Sequence, residues 1–450
     1  MIIANRSRRV AVIVALAFAA ERVAHAQSQA QAPAPRTTVL HASRMLDIRT
    51  GTVVQNASVV VTGARITAAG ANVATPAGAT VIDLGDVLLM PGFIDSHTHL
   101  LQNYEGRFGS DEPNMVLTVA AMGTTRRALL GAAMGRQDLE AGITTVRDLG
   151  NSGLNGDVAL RDAINDGWVV GPRIVASTRA LAAAGGQFGG LAPEAQTLIE
   201  NEYVVISGVE EARRAVRQAF YDGADLIKVI VNTGPRVVSE DELKVIVEEA
   251  HRVGKRVAAH ATSDQATKIA ADAGVNSIEH GYSLPNDVIR TMKEKGIFLV
   301  PTDYPAAFYV DALGAAATGD ERKARLAAAQ PFVTSSADRL MRAFKAGVRI
   351  AYGSDEYYNA PGRSRGQSSL LPLQAYQEAG MPPLEVLRAA TLNSADLLGL
   401  GDRIGAIETG KIADIIAVDG DPLKDIKDVQ RVRFVMKGGQ VIRNDPPAKR

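Results

Sequence analysis

The sequence predicts an α/β fold: a (β/α)8 TIM barrel joined to a small β-sandwich formed by the N- and C-terminal segments. Three observations lead there. Between residues 91 and 399, short apolar runs alternate with helical text, as in a parallel sheet with helical crossovers. The flanking stretches, 37–90 and 400–445, hold short Val-, Ile- and Thr-rich runs cut by Gly, Asn and Pro turns, and neither half alone makes a convincing sheet. At 450 residues and 46% hydrophobic content, there is chain enough for one large barrel and a smaller partner.

Taken in order, the chain opens with Arg6, Arg8 and Arg9, an apolar run over 10–20, and Ala24-His25-Ala26. That reads as an export signal over residues 1–26, too short to span a bilayer, which takes roughly 20 apolar residues. Ser7-Arg8-Arg9 weakly resembles a twin-arginine signal, and an ordinary secretory n-region fits equally well. The expectation is a periplasmic or secreted protein. A Gln/Ala/Pro linker covers 27–36, and strands are expected at 37–40, 58–62, 65–68 and 80–84. Matching strands close the chain at 412–418, 432–437 and 440–442.

Eight strand candidates fill the centre: 93–97, 143–148, 173–177, 225–231, 256–262, 277–281, 298–302 and 349–355. Helical patterns separate them, for example at 209–222, 239–253, 266–273 and 335–346. Such a barrel places its active site at the C-terminal strand ends. Lys+Arg and Asp+Glu both count 49, so no global field favours nucleic acid or an anionic membrane, and neither partner is expected once the signal is removed. With no Cys, disulfides and thiolate ligands are excluded.

The polar residues at the strand ends carry the chemistry. Pro91-Gly92-Phe93-Ile94-Asp95-Ser96-His97-Thr98-His99-Leu100 reads as a buried strand ending in two imidazoles on one side. Alone, His97 and His99 read equally as ordinary strand histidines; together they can hold a metal. Lys228 interrupts the apolar fourth strand. It is either half of a structural ion pair or a desolvated amine nucleophilic enough to add carbon dioxide and become a carbamate. His260 and His280 end the fifth and sixth strands. Asp355 ends the eighth, above Ala351 and Gly353, where it can be a helix cap or a metal ligand and general base.

This ordered set, with Gly142-Ile143-Thr144-Thr145-Val146-Arg147-Asp148-Leu149-Gly150 and Ala224-Asp225-Leu226-Ile227-Lys228-Val229, resembles the binuclear metal-dependent amidohydrolase superfamily. The likeness is to its imidazolonepropionase-like and prolidase-like branch, which holds Xaa-Pro or Xaa-Arg/Lys dipeptidases and ochratoxin-type amidases. The resemblance implies two divalent ions, Zn by default, and N6-carboxylated Lys228. One ion would take His97, His99, Asp355 and the carbamate; the other would take the carbamate, His260 and His280. Asp355 and Lys228 are the implied catalytic residues. The implied reaction hydrolyses the amide bond to a C-terminal amino acid in a small amide or short peptide. A cyclic-amide or other C–N hydrolase is the first alternative and a non-catalytic metal-binding scaffold the second. Family members often assemble, so a homo-oligomer is expected.

Three residues are candidates for substrate contact. Tyr282 follows His280-Gly281 and reads equally as a packing residue; Arg236, in the loop after the fourth strand, could clamp a carboxylate bidentately or stand solvated. Gln187 occupies a Gly-Gly-Gln stretch after the third strand where relatives commonly have Gly-Gly-His. Arg147 and Asp148 are expected to support the site rather than react.

Overall fold

The computed structural model describes residues 36–104, 111–312, 318–358, 360 and 362–446. The expected export signal and all but the last residue of the linker lie outside the described residues. In chain order the strands are β1 (Thr37–Leu46), β2 (Val53–Thr62), β3 (Arg65–Ala71), β4 (Thr80–Asp83) and β5 (Leu88–Pro91) at the N-terminal end. The centre supplies β6 (Phe93–Thr98), β7 (Ile143–Asp148), β8 (Arg173–Ala176), β9 (Ala180–Ala182), β10 (Tyr203–Val205) and β11 (Ile227–Ile230). A hairpin of β12 (Asn232–Thr233) and β13 (Arg236–Val237) precedes β14 (Val257–Ala261), β15 (Ser277–His280) and β16 (Phe298–Val300). Last come β17 (Ile415–Val418), β18 (Val432–Lys437) and β19 (Gln440–Asn444).

The two ends of the chain share one sheet, in the order β19-β18-β17-β5-β1-β2-β3, with β4 also paired to β1. β1 runs further than its apolar text suggested because His41 bonds Ser58 across to β2 and its far half pairs in parallel with β5. The sheet folds over: Arg65 bridges Ile412, and the Ile66 amide donates to the Lys411 carbonyl. Leu40, Val59 and Val61 from one side then meet Ile415, Phe434 and Met436 from the other in one buried cluster. Full burial of each such side chain contributes about 1.5–3 kcal/mol.

From β5 the chain enters the barrel through Gly92. A Cβ there would lie 2.3 Å from Thr144 Oγ1, so only glycine lets the strand cross β7. Parallel pairing runs β6-β7-β8, and again through β9-β11-β14-β15-β16. The third barrel position is thus broken in two, with Thr178 at φ +60° in the kink between β8 and β9. The Asp225 amide donates to the Ala176 carbonyl across this joint. Among the described residues the eighth segment, 349–355, makes only one bridge, Leu299 to Ile350. Its backbone still closes the ring: the Ala351 amide reaches the Leu299 carbonyl on one side, and the Ser96 amide reaches the Tyr352 carbonyl on the other.

The crossover helices follow the predicted amphipathic text, as in Val209–Tyr221, Glu240–Arg252 and Asp264–Ala273. Ser239 and Glu242 form a capping box at the start of the second of these. One helix is longer than expected. It spans Gly319–Lys345, where the sequence suggested 335–346, because Pro331 sits within it and its first turns are exposed and carry no apolar stripe. No helix among the described residues is long and apolar enough to cross a membrane.

Candidate metal centre

Strand β6 carries His97 at its end and delivers His99 just beyond it, both buried. The eighth segment brings Asp355 against them: His99 Nε2 lies 3.1 Å and His97 Nε2 3.5 Å from Asp355 Oδ1. Gly353 makes this possible, since a Cβ there would fall 2.6 Å from His97 Cβ and 2.5 Å from Val300 Cγ1. His280, at the end of β15, stands 3.8 Å from Asp355 Oδ2, and ligand atoms of His97, His280 and Asp355 lie within 4.8 Å of one another. The His260 ring, from β14, is 4.6 Å from that of His280.

The tautomers follow from the partners. His99 Nδ1 is 2.9 Å from the Gly150 carbonyl, which can only accept, so the proton sits on Nδ1. His97 Nδ1 donates to Glu279 Oε2 at 2.8 Å. Thr302 donates its hydroxyl to the Pro301 carbonyl and therefore accepts from His280 Nδ1 at 2.8 Å. In each of the three rings Nδ1 is the nitrogen committed to the protein, the arrangement typical of metal-ligating histidines. Burial, followed by the Lys228 charge, holds His97 well below the usual histidine range and His260 at about 3. Burial and then His260 do the same for His280. These imidazoles are neutral at physiological pH.

Lys228 on β11 is 2% exposed, and burial lowers its amine to about 8, against the opposing pull of Glu279 and Asp355. It belongs to the same charge cluster as His97 and His260. Glu279 and Arg147 supply the support that the sequence reading only partly saw. Arg147 Nη2 donates to Glu279 Oε1 at 2.8 Å and Nη1 to Ser277 Oγ at 3.1 Å, while Glu279 orients His97. Asp148 accepts from the Leu100 amide and Ser152 hydroxyl, a positioning role as expected. Glu279, Gly150 and Thr302 were not singled out beforehand. For Glu279 a signal existed: like Lys228, it is a charge set in an apolar central strand.

The backbone at this rim is unusual. Asn151, Thr178, His280, Thr302 and Asp355 all take positive φ, between +53° and +65°, although none is glycine. Such conformations cost of order 1–3 kcal/mol each and persist where surrounding contacts over-determine them.

The three candidate substrate residues part company. Gln187, Arg236 and His260 line one open cleft of about 380 Å³ with Asn232, Thr262 and Met115. Arg236 donates from Nη1 to the Ala184 carbonyl and from Nη2 to the Phe188 carbonyl, at 2.7 and 2.8 Å. These bonds anchor the guanidinium to the loop after β9 and use one N–H of each terminal nitrogen, leaving the others for a carboxylate. Gln187 Oε1 accepts from Tyr203 Oη at 3.4 Å. Tyr282 lies elsewhere, tilted against the His280 ring at 5.4 Å. It belongs to an arc of rings running from His99 through Tyr357, Tyr358, Phe308, Tyr309 and Phe332 to Tyr282, each centroid 4.6–6.0 Å from the next. Tyr282 and Phe332 are each 40% exposed, so the far end of the arc is open to a ligand.

Comparison with known proteins agrees with this geometry. The model of the Amidohydrolase family matches residues 88–442. Ochratoxinase of Aspergillus niger is 33% identical over 390 residues, covering 79% of this chain and 76% of the relative. An imidazolonepropionase of Caldanaerobacter subterraneus subsp. tengcongensis is 26% identical over 399 residues, covering 82% and 85%. Among solved structures, an Xaa-Pro dipeptidase with bound methionine in its active site superposes with TM-score 0.77 at 30% identity, over 91% of this chain and all of that one. The A. niger ochratoxinase structure gives 0.75 at 30% identity, over 91% and 96%.

Proposed function

The chain belongs to the amidohydrolase family, a hydrolase acting on C–N bonds, and on that footing we propose that it is a two-metal enzyme releasing a C-terminal amino acid from an N-acyl amino acid or dipeptide. The observation that carries the metal reading is the facing of lone pairs. Nε2 of His97 and of His99 both face the same Asp355 oxygen, at 3.5 and 3.1 Å, while each Nδ1 is held by an acceptor of its own. Acceptors set against one another repel unless a cation lies between them. Ligands about 2.0–2.2 Å from one tetrahedral ion would stand roughly 3.4 Å apart, so the donor set fits such an ion. His97, His99, Asp355 and carboxylated Lys228 would hold one ion, and His260, His280 and the same carbamate a second. Bound there, divalent ions would polarise the amide carbonyl and lower the pKa of water; Zn suits the imidazole-rich set.

The remaining work falls to the chain itself. Asp355 is 17% exposed at its side chain, open enough to take the proton of the attacking water on Oδ2. As the C–O bond forms and the C–N bond breaks, it returns that proton to the leaving nitrogen. The aromatic arc beside His99 and His280 favours an aromatic or apolar group on the substrate over the cationic side chain of an Xaa-Arg/Lys dipeptide. Similarity to ochratoxinase and to an Xaa-Pro dipeptidase supports the same choice.

The purified protein is expected to contain two equivalents of metal and to release phenylalanine from N-acyl-phenylalanines at least ten-fold more efficiently than it cleaves Xaa-Arg dipeptides. Lys228→Ala should lose metal and activity together; full metal and full amidase activity in that variant would sink the two-metal reading. Turnover of cyclic amides alone would overturn the assigned substrate class.

A further inference from the structure

At the end of the barrel opposite the histidines, a cavity of about 760 Å³ opens among the strand starts. Its lining is strongly basic: Arg147, Arg161, Arg173, Lys255, Arg256 and Arg403 against two carboxylates, Asp162 and Asp225. Half of that positive charge is spoken for within the fold. Arg161 pairs with both Asp162 and Asp225, Arg173 with Asp414, and Arg147 with Glu279. The side chains of Lys255, Arg256 and Arg403 have no ion pair or hydrogen bond among the described residues. Arg256 is half-buried and precedes β14; burial, then the positive charges of Arg147 and Arg349, hold it below the usual arginine range against the opposing pull of Asp396. Gly399, at φ +72°, allows the chain to pass it; a Cβ there would lie 3.2 Å from Arg256 Nε. Three unpartnered cations gathered around a half-enclosed space raise its potential and concentrate counter-ions, and guanidinium forks match carboxylate and phosphate oxygens.

We propose that this cavity binds a small multivalent oxyanion, and that its occupancy is felt at the opposite end of the barrel. Arg147 provides the connection: it lines the cavity, donates to Glu279, and Glu279 in turn fixes the tautomer and orientation of His97. Arg147 is 1% exposed and its three nitrogens are held by Ser96, Ser277 and Glu279, so an anion in the cavity acts on it through its charge rather than by contact, weakening the field that the guanidinium exerts on Glu279 and so altering the imidazole at the metal centre. Both tetrahedral oxyanions and dicarboxylates have the required chemistry.

The chain carries its own reporter. Its single tryptophan, Trp168, is 80% exposed and lies three residues past the end of helix Gly156–Asn165, which lends Arg161, Asp162 and Asn165 to the cavity wall. Sulfate and succinate would be titrated against Trp168 fluorescence in the metal-loaded full chain, with ionic strength held constant by sodium chloride. The expected result is a saturable change with at least one of the two, weakened ten-fold or more in Arg256→Ser and in Lys255→Ser and unchanged in Arg325→Ser, a distant surface control. Lys255→Ser keeps the test valid if Arg256→Ser fails to fold. No saturable change, or equal titration in both cavity variants, overturns the site. Amide hydrolysis at saturating anion should differ from that in chloride for the wild type and not for Arg256→Ser; an anion bound by fluorescence with no kinetic effect overturns the coupling. Because fluorescence needs no turnover, failure of the hydrolase reading leaves the binding result intact.

Discussion

His280 owes its ligand-ready state to one hydroxyl. Thr302 uses its own proton on the Pro301 carbonyl and so can only accept from His280. Thr302→Val keeps the shape and removes the acceptor, and metal affinity should fall about 10–100-fold, as is typical when a ligand's outer partner is lost. Equilibrium dialysis with Zn would show it, and unaltered affinity would mean that the tautomer is set otherwise. Lys228 supplies a pH test. Its amine titrates at about 8 in the folded chain, below the roughly 10.4 of an unfolded one. The unfolded chain therefore binds more protons between those values, and stability of the metal-free protein should rise with pH across that window. Only the neutral amine adds carbon dioxide, so recovery of activity from metal-free protein in bicarbonate should quicken as pH passes upward through about 8. At this scale the sequence was legible for the side chains gathered at the candidate site and poorly legible for what orients them. His97, His99 and Asp355 announce themselves by residue type at strand ends, whereas Thr302 and the Gly150 carbonyl are unremarkable until a fold brings them alongside.

Strands were legible where apolar text is dense and bounded, as in β7, β14 and β15. The eighth barrel segment shows the reverse case: its text predicted a strand, yet it makes a single bridge among the described residues, because Asp355 turns into a left-handed conformation to face the histidines. Regular pairing yields there to the demands of the site. Gly353 is the element's weak point. Gly353→Ala should push the segment off His97, cost about 1–3 kcal/mol from overpacking, and lower metal content at unchanged fold; circular dichroism alongside metal analysis would check both. The helix Gly319–Lys345 was underestimated because an exposed half-helix has no apolar period for the sequence to display.

The two parts of the molecule are tied by Asp414. Its Oδ2 takes Arg173 at the start of β8 at 2.6 Å, its Oδ1 takes the Gly438 amide, and its carbonyl takes the Gly92 amide where the chain enters the barrel. Asp414→Ala strips the partner from a mostly buried arginine and should cost about 3 kcal/mol. Differential scanning calorimetry should show a lower transition temperature, and separation into two transitions would identify this contact as what couples barrel and sandwich. Barrel topology was readable from the alternation of elements, and the pairing of the two chain ends from the incompleteness of each. The folding-over of their sheet was not, since the Arg65–Ile412 bridge joins positions that carry no mark of one another.

That shared sheet has a consequence for synthesis. β5 pairs with β17 along its whole length, yet roughly 320 residues separate them in the chain. At about 5–20 residues per second, β5 emerges on the order of tens of seconds before its partner exists. For that interval its edge is an unpaired, wholly apolar template of the kind that recruits other chains. A cell making this protein must shield its earliest strands until its last ones arrive, and yield of folded enzyme should depend on holding chaperones more than on the stability of the finished barrel.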